Sequence, residues 1–530
     1  SGGVTLLQGP PGTGKSMTIV HLISALLNGL RPSPKVAGTK IQIGSSLVDD
    51  GVLAPSDGPD ASSPAPRATR ILVCAPSNCA TDDLAWKVQR HSLGPSGRVG
   101  DLDIKRFGSL PNADRKNGRN RTRAPSGRPR ATNSAREFFL EEINVDVLIN
   151  KMCKFDAEAG RGERDDADPP DRGEWWKKGV SFSKERRKIL SKCDVVFATL
   201  SSAGSRAFVD AVTRADGGSE FDVVIVDEAC QASEPSTLIP LKFNPGTVVL
   251  VGDPQQLPVT LLSHLSAPAG FGRSLFERLH KNNWPVLMLQ TQYRMHPLIS
   301  HFSSNMFYDG RVATAESVTS RHWSCAPWHN EPNFPPFAIW NLEGYMVRSN
   351  GKGYSNIKEE DFIVGKMLPQ FIQKYQKDVK PTNAAPLEIG IISFYKDQVF
   401  SISNKISSQG LNKLKGLSID VATVDSFQGS EKDIIILSCV RTSARNRGGV
   451  GFLRDHRRLN VSITRARHSL WIVGDVAELR QDDKWRDITD EARRQNLVHG
   501  HHAFDFEWES AGRTAQRAHR KAERRRSPPR

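Results

Sequence analysis

The stretch VTLLQGPPGTGKS, residues 4–16, decides the fold of this chain. Its last eight residues fit the pattern G-x-x-x-x-G-K-[ST], which joins the end of a strand to the start of a helix. Apolar residues 4–7 predict that strand, and residues 17–27 predict that helix. Glycines let backbone N–H groups converge on phosphates, and the helix N-terminus adds its positive dipole end. The sequence therefore predicts an α/β fold built around a phosphate-binding loop.

The side chains of this loop predict its ligands. Lys15 is expected to reach the β- and γ-phosphates of ATP, and Ser16 to ligate Mg²⁺. Backbone groups complete the predicted nucleotide cradle, and they belong to Gly9, Gly12, Thr13 and Gly14.

Further short apolar runs, rich in β-branched residues, predict buried parallel strands along the chain. They span residues 70–75, 194–199, 221–227, 247–252, 387–393, 419–424, 433–440 and 469–474. The runs fall into two groups, before and after roughly residue 290. This grouping predicts two similar α/β domains, with ligands at the carboxyl ends of their strands.

Two predicted strands end in polar residues suited to phosphate chemistry. The run FDVVIVDE ends in Asp227, predicted to hold Mg²⁺, and Glu228, predicted to orient and deprotonate the attacking water. Alone, such a pair is often a cap or a surface charge; beside a phosphate loop it favours NTP hydrolysis. The next strand is closed by GDPQQLP, in which Gln256 is expected to sense the γ-phosphate.

A hydrolase of this kind also needs positive charge on the developing transition state, and two arginines are candidates. Arg294 lies in QYRMHP, and Arg465 lies in RLNVSITRAR. An arginine finger accelerates hydrolysis by roughly 10³–10⁵. The alternative for each is an ordinary surface ion pair.

Composition excludes several classes of protein. No apolar run approaches the roughly 18 residues of a membrane span, and no N-terminal segment has the pattern of a signal peptide. The seven cysteines are scattered and never spaced C-x-x-C, which argues against a disulfide scaffold, a zinc ribbon or an iron–sulfur cluster. We expect a protein of a reducing compartment.

The net charge of +15 is concentrated in two segments. Residues 105–136 hold ten Lys/Arg against one acidic residue, and residues 513–530 hold eight against one. Both segments are rich in Pro, Gly, Ser and Arg, which predicts flexibility. Basic flexible segments suit phosphate backbones, so nucleic acid is favoured over a solvated linker without a partner. The terminal run of arginines also matches a nuclear address.

The motifs together resemble the superfamily 1B helicases, and within them the senataxin-type RNA/DNA helicases. The resemblance covers about three-quarters of the chain once insertions are set aside. Its motifs, in order, are GPPGTGKS (9–16), APSNCATDDL (75–84), ATLSSAG (198–204), VDEACQASE (226–234), VGDPQQLP (251–258), QYRMHP (292–297), IGIISFYKDQ (389–398), VDSFQGSEKDIIILSCVR (424–441) and RRLNVSITRARHSLWIVGD (457–475).

The resemblance implies roles for further residues. Tyr293 would stack on the adenine ring, and Glu431 would contact the ribose. It implies movement along single strands in the 5′→3′ direction, with a grip on sugar and phosphate. The implied nucleic-acid contacts are Ser77, Asn78, Thr199, Ser201, Pro258, Tyr395, Thr423 and Asp425.

The resemblance also implies the domain organisation. Two RecA-like domains are expected, with an inserted, mainly helical, prong-like subdomain in the first. In the family, a glutamine motif and a β-barrel precede the phosphate loop, so the chain is expected to be a piece of a longer protein. The expected bounds are 1–84 and 191–290 for the first domain with a disordered insertion at 31–69, 85–190 for the prong with its basic loop at 105–136, 291–500 for the second domain, and 501–530 for a basic disordered tail.

The sequence thus predicts a monomeric ATP- and Mg²⁺-dependent helicase or translocase acting on single-stranded RNA or DNA and on RNA–DNA hybrids. Its expected setting is the nucleus, with the cytoplasm as alternative, in transcription termination beside the transcription machinery or in hybrid resolution. Two other functions stay open. One is a helicase-nuclease of the same superfamily, and the other is a non-catalytic RNA-binding scaffold on a degenerate motor.

Overall fold

The chain forms two compact units. The first comprises Ser1–Leu6, Ser16–Val251 and Ser274–Pro285, and the second comprises Leu7–Lys15, Gly252–Arg273 and Val286–Arg530. The computed structural model describes residues 3–29, 69–94, 97–108, 134–149, 179–213, 221–261, 263, 265–266, 269–320, 326–344, 346–348, 353–378, 386–414, 416–442 and 450–504. The predicted insertion at 31–69, all but its last residue, and the tail from 505 onward lie outside these residues.

The first sheet has seven strands in the order β3-β4-β2-β5-β6-β1-β7. Strand β2 pairs in parallel with both β4 and β5, and β5 pairs in parallel with β6. Every residue of β2, β4 and β5 is buried, as expected for strands covered on both faces. The strand bounds are β1 Gly3–Gln8, β2 Ile71–Ala75, β3 Ile104–Phe107, β4 Val195–Thr199, β5 Val223–Val226, β6 Thr247–Gly252 and β7 Val286–Met288.

The second sheet has six strands in the order β14-β13-β15-β16-β10-β17, and all its pairings are parallel. Alternate residues of β15 enter two different apolar clusters, with Ile435 and Leu437 in one and Ile434 and Ile436 in the other. Both faces of this sheet are therefore buried. Its strands are β10 Phe337–Asn341, β13 Leu387–Ser393, β14 Leu417–Thr423, β15 Lys432–Ser438, β16 Ala466–Gly474 and β17 Val498–Gly500.

Two short two-stranded sheets accompany these. One pairs β8 (Thr291–Gln292) with β9 (Ala313–Thr314), and the other pairs β11 (Met346–Arg348) with β12 (Tyr354–Asn356).

Helices connect the strands of both sheets. Those up to residue 285 are α1 Lys15–Leu27, α2 Asn78–His91, α3 Ser134–Ile143, α4 Gly179–Leu190, α5 Leu200–Ala203, α6 Arg206–Val212, α7 Glu234–Leu238 and α8 Leu275–Lys281. Those beyond it are α9 Pro297–Phe307, α10 Glu316–Thr319, α11 Ile357–Phe362, α12 Leu368–Asp378, α13 Lys396–Ser408, α14 His456–Ile463, α15 Val476–Leu479 and α16 Asp483–Arg494. A π-helical turn, Ile363–Met367, joins α11 to α12.

The two parallel sheets confirm the predicted α/β class, and each predicted strand has a counterpart in the structure. The structure corrects the predicted start of the basic loop at residue 105. Residues 105–107 belong to β3, an edge strand of the first sheet that pairs with β4. The helices α3 and α4 come after β3, and α2 spans residue 85, at which the prong is predicted to begin. Strand β10, which the sequence pattern missed, lies between β16 and β17.

Candidate nucleotide and nucleic-acid sites

The phosphate loop follows β1 and leads into α1, as its sequence pattern predicts. Gly9 donates its backbone N–H to the carbonyl of Gly252 at 3.0 Å, so β1 and β6 end side by side. Lys15 folds back over the loop, and its Nζ donates to the carbonyl of Gly9 at 2.8 Å. A Cβ at position 9 would lie 1.9 Å from Cγ of Lys15, so glycine is required there for the lysine to pack.

Gly12 adopts a φ of +74°, a conformation that L-residues rarely take. Its carbonyl accepts the backbone N–H of Tyr293 at 2.8 Å, and an added Cβ would lie 2.8 Å from Cβ of Arg294. Gln292 holds the same turn, because its Oε1 accepts the backbone N–H groups of Arg294 and Met295 at 2.8 Å each. Tyr293 itself is 57% exposed, so its ring is open to a ligand.

The acid pair closes β5 in the first unit. Asp227 is buried, and its Oδ1 accepts the backbone N–H of Glu228 at 2.9 Å. Glu228 has a φ of +51° and ψ of 39°, the left-handed region in which a side chain with a Cβ is strained. Such strain is typical of functional positions. Gln231 Nε2 donates to Glu228 Oε2 at 2.6 Å, which orients the carboxylate.

Ser16 is the first-unit residue of the loop predicted to meet the metal. Its Oγ accepts from Lys87 Nζ at 3.4 Å, and Lys87 also pairs with Asp83 at 2.6 Å. A serine hydroxyl and a carboxylate such as Asp227 are the hard oxygen donors that Mg²⁺ prefers, so the donor chemistry fits the ion. Among the residues that the structure describes, no group of three or more His, Cys, Asp or Glu forms a separate metal cluster.

Arg294 is held by an ionic cluster within the second unit. Its Nε lies 2.5 Å from Glu431 Oε2, and its Nη1 donates to the carbonyl of Thr464 at 3.2 Å. Arg467 donates from Nη2 to the other oxygen of Glu431 at 3.0 Å. Burial alone would raise the pKa of Glu431, but the two arginines outweigh it and lower the pKa to about 2. Glu431, predicted to meet a ribose, therefore also fixes the arginine side chains.

Arg465 is held differently, by neutral groups in a buried site. Its Nε donates to the carbonyl of Val461 at 3.0 Å, and its Nη2 reaches Oγ1 of Thr464 at 3.1 Å and Oε1 of Gln256 at 3.4 Å. Its exposed fraction is 2%. The structure thus brings together the two residues predicted to meet the γ-phosphate region, Gln256 and Arg465.

A buried network behind Gln256 escaped the sequence analysis. Gln256 Nε2 donates to Asp253 Oδ2 at 2.7 Å, and the Tyr308 hydroxyl donates to the same oxygen at 2.6 Å. Asn460 Nδ2 donates to the Tyr308 oxygen at 2.8 Å. Tyr308 lies 55 residues from Asp253 and carries no motif signal of its own, so only the fold reveals this contact.

The nucleic-acid residues predicted in the first unit lie at the ends of neighbouring strands. Ser77 caps α2 just after β2, and Thr199 ends β4 and caps α5. Asn78 Oδ1 accepts from Arg106 Nη2 at 2.7 Å, which anchors the amide. Ser201 is exposed in α5.

Arg106 itself corrects the prediction of a mobile basic grip. The side chain is fully buried, and its Nε donates to Asp82 Oδ1 at 2.8 Å. Its charge is therefore part of the core, and it is not available to bind a phosphate backbone. Residues 109–133 of the predicted basic loop lie outside the described part of the chain.

The nucleic-acid residues predicted in the second unit repeat this pattern. Thr423 ends β14 opposite Ser393, which ends β13, and Tyr395 follows two residues later. A cleft of about 380 Å³ opens here, lined by Tyr395, Thr423 and Asp425 among others. Asp425 is not a lone carboxylate, since it accepts two hydrogen bonds from Arg458 at 2.9 and 3.1 Å. Pro258 lies half-buried in the loop after β6.

Tyr395 is more deeply set than a simple contact residue. Its ring is 3% exposed, and its hydroxyl accepts from Arg441 Nε at 2.7 Å. Arg441 in turn lies over the ring of Tyr354 at 4.7 Å. Burial raises the pKa of Tyr395 above its usual value despite this arginine. Its hydroxyl therefore stays protonated near neutral pH.

Comparison with known proteins reveals the family. A family model described as an AAA domain matches residues 1–264, and a second AAA domain model matches residues 271–477. The helicase sen1 of Schizosaccharomyces pombe is 32% identical over 94% of this chain and 30% of its own length. The chain belongs to the senataxin-type helicases of superfamily 1B.

Other relatives agree with this assignment. The probable helicase senataxin of Homo sapiens is 30% identical over 93% of the chain and 18% of its own length. The probable helicase MAGATAMA 3 of Arabidopsis thaliana is 31% identical over 93% of the chain and 58% of its own length. The chain thus spans between about a fifth and three-fifths of these relatives. Among the described residues, no helix is long and apolar enough to cross a membrane.

Proposed function

We propose that this senataxin-type chain hydrolyses ATP to move in the 5′→3′ direction along single-stranded RNA or DNA. The observation that carries the proposal is the setting of the phosphate loop and the acid pair. They follow β1 and β5, strands of one sheet, and the loop leads directly into the N-terminus of α1, an arrangement typical of phosphate-binding loops. The family membership supports the same activity.

The proposed hydrolysis assigns one step to each group. Glu228 orients a water and takes its proton, while the water oxygen bonds to the γ-phosphorus and the bond to the bridging oxygen breaks. Lys15, Arg294 and Arg465 stabilise the negative charge on the phosphoryl oxygens. Ser16 and Asp227 would hold Mg²⁺, which neutralises phosphate charge when bound.

Nucleotide contacts also follow from the exposed groups. Tyr293 offers an open ring to adenine, and the Glu431 carboxylate can accept from a ribose hydroxyl in competition with Arg294. In this proposal Gln256 reports the γ-phosphate to Arg465, its neighbour at 3.4 Å.

The proposed track for the nucleic acid passes the paired strand ends in each unit. In the first unit these carry Ser77 and Thr199, and in the second Thr423, beside Tyr395, whose own hydroxyl is bonded to Arg441. Hydroxyl groups at such positions suit sugar and phosphate, which every sequence shares. Phe452 lines the cleft of the second unit and is 58% exposed, so it offers a face on which a base can stack.

The biological setting is proposed on narrower grounds. The basic tail suits a nuclear address, and the senataxin-type relatives favour transcription termination or the resolution of RNA–DNA hybrids. The transcription machinery is the corresponding proposed partner. Fractionation of cells that express the tagged chain, with and without residues 513–530, tests the address.

ATP turnover with and without single-stranded RNA tests the proposed function. Strong stimulation by RNA is expected, and Glu228→Gln is expected to abolish it because glutamine cannot take the proton. Glu316→Gln, which changes an exposed carboxylate on α10, serves as the matched control and is expected to retain turnover. RNA binding without turnover by the unchanged chain contradicts the proposal and favours a scaffold. Metal-dependent cleavage of the strand would instead favour a helicase-nuclease.

A further inference from the structure

The strongest unassigned feature is a directional chain of buried hydrogen bonds behind Gln256. Ser303 Oγ donates to Asn460 Oδ1 at 3.1 Å, and Asn460 Nδ2 donates to the Tyr308 oxygen at 2.8 Å. Tyr308 donates to Asp253 Oδ2 at 2.6 Å. Each donor and acceptor in this chain is used in the sense its chemistry allows. The chain therefore links α9 and α14 to the loop that follows β6.

The Asp253 carboxylate is the centre of this network. Its Oδ2 accepts from Tyr308 and from Gln256 Nε2, at 2.6 and 2.7 Å. Its Oδ1 accepts the backbone N–H of Gln255 at 3.1 Å and Gln8 Nε2 at 3.3 Å. Asp253 is only 2% exposed, and its four hydrogen-bond donors fix the buried carboxylate in place.

The fixed carboxylate sets the orientation of the sensor amide. An ionised carboxylate only accepts, so Gln256 must turn its Nε2 toward Asp253. Its Oε1 then points the other way, toward Arg465 Nη2 at 3.4 Å. Which end of the Gln256 amide meets the ligand therefore depends on Asp253.

Tyr308 is the residue that joins this assembly to Asn460. Its side chain is 1% exposed, and burial together with the Asp253 charge raises its pKa well above the usual value. The hydroxyl thus remains a donor at neutral pH. Asn460 uses its second Nδ2 hydrogen on the carbonyl of Gln255 at 2.9 Å, so it contacts the loop after β6 directly as well as through Tyr308 and Asp253. Asn460 lies on α14, and Arg465 follows this helix.

We propose that Tyr308 is a positioning residue for ATP hydrolysis. It acts through Asp253 to keep the Gln256 amide oriented toward Arg465. The proposal deepens the proposed function and rests on it. Because Tyr308 is buried away from solvent, its loss is expected to change the rate of turnover without changing the binding of ATP or RNA.

The test is Tyr308→Phe, which removes one oxygen and keeps the ring. Turnover number with saturating RNA is expected to fall about tenfold, because misplacement of a group at the reacting centre slows hydrolysis steeply. KM for ATP and Kd for RNA are expected to change less than about twofold. Tyr375→Phe is the matched control, since Tyr375 packs against Phe371 outside the network, and is expected to retain turnover. An unchanged turnover number in Tyr308→Phe overturns the proposal.

The Gln256→Ala background separates positioning from general destabilisation. If Tyr308 acts through the Gln256 amide, Tyr308→Phe is expected to cause no further loss of turnover once that amide is absent. A loss of the same factor in both backgrounds contradicts the proposal, because it places the effect of Tyr308 elsewhere.

Hydrogen exchange of residues 251–258 tests the contact even if the unchanged chain shows no turnover, the outcome that removes the proposed function. Exchange of this segment is expected to be about tenfold faster in Tyr308→Phe and unchanged in Tyr375→Phe, since one buried hydrogen bond to a charged group is lost. Equal protection in both variants overturns the role of Tyr308.

Discussion

Two regions of the second unit each hold one candidate arginine, and they do so with different chemistry. Around Arg294 the hold is ionic, through Glu431, whose side chain is 35% exposed and also pairs with Arg467. Around Arg465 the hold is neutral, through a backbone carbonyl, a threonine hydroxyl and the Gln256 amide, and the arginine is 2% exposed.

The difference means that the contacts of Arg294 can be released by a ligand, whereas those of Arg465 are fixed. Partly exposed ion pairs are weakened by water and salt, and a ribose hydroxyl can compete for the same carboxylate. Buried hydrogen bonds in a satisfied network do not have this competition. We infer that the position of the Arg294 side chain depends on the ligand that meets Glu431. The position of the Arg465 side chain is instead determined by the fold itself.

Replacing each of the two arginines by lysine is expected to show the largest difference in turnover. Arg465→Lys loses the planar fork whose nitrogens reach Val461, Thr464 and Gln256 together, so turnover is expected to fall about 10³-fold, near the effect of losing an arginine finger. Arg294→Lys keeps a charge that can still pair with Glu431, and a loss of about tenfold is expected. Steady-state ATP turnover with saturating RNA measures both. Equal losses in the two variants would contradict the distinction.

A third arginine separates the effect of burial from that of charge, because it combines an ionic partner with complete burial. Arg106 pairs with Asp82, and neither side chain is more than 4% exposed. Arg106→Ala is expected to lower the free energy of unfolding by about 3–5 kcal/mol, since it leaves Asp82 charged and unpaired in the core. Arg294→Ala is expected to cost about 1 kcal/mol or less. Urea denaturation measures the free energy of unfolding of both variants. A loss in Arg294→Ala as large as that in Arg106→Ala would contradict the role of burial.

Two carboxylates extend the comparison to pH, with opposite signs. Burial raises the pKa of Glu359 from 4.5 to about 8, despite hydrogen bonds from Ser438 and from the backbone N–H of Val440. The folded state then binds a proton that the unfolded state has lost, so stability falls as pH rises from 4.5 through 8. Glu431 has a pKa lowered to about 2, so its contribution is present above pH 4.5 and is lost as pH falls toward 2.

Glu359→Gln removes the first of these two pH dependences. The loss of stability between pH 4.5 and 8, on the order of 4 kcal/mol in the unchanged chain, is expected to disappear in this variant. Glu431→Gln is expected to leave that interval unchanged and to flatten only the acid limb. Chemical denaturation across the pH range checks both expectations, and an unaltered slope in Glu359→Gln would show that Glu359 is ionised in the folded state.

The sequence predicted the parts of the molecule whose signals are local. The phosphate loop, the acid pair and β13 at residues 387–393 each lie within one short stretch whose neighbours determine its structure. Arg106 was counted as part of a mobile basic run because its partner Asp82 is 24 residues away and charge alone does not reveal pairing. Tyr308 was missed for the same reason.

Strand β10 shows a second limit of local patterns. Its sequence FAIWN follows two prolines and is short, so the pattern does not distinguish it from a loop. Its place between β16 and β17 is fixed by packing from both sides, with Phe337 and Ile339 in one apolar cluster and Ala338 and Trp340 in the other. The predicted domain boundaries and the roles of the site residues remain predictions.

Movement along a strand is the central claim, and displacement of streptavidin from biotinylated single strands tests it most directly. With ATP present, the chain is expected to dislodge streptavidin from the 3′ end of RNA or DNA much faster than from the 5′ end, and Glu228→Gln is expected to dislodge neither. Release from the 5′ end alone, or ATP turnover without displacement from either end, would contradict a 5′→3′ motor.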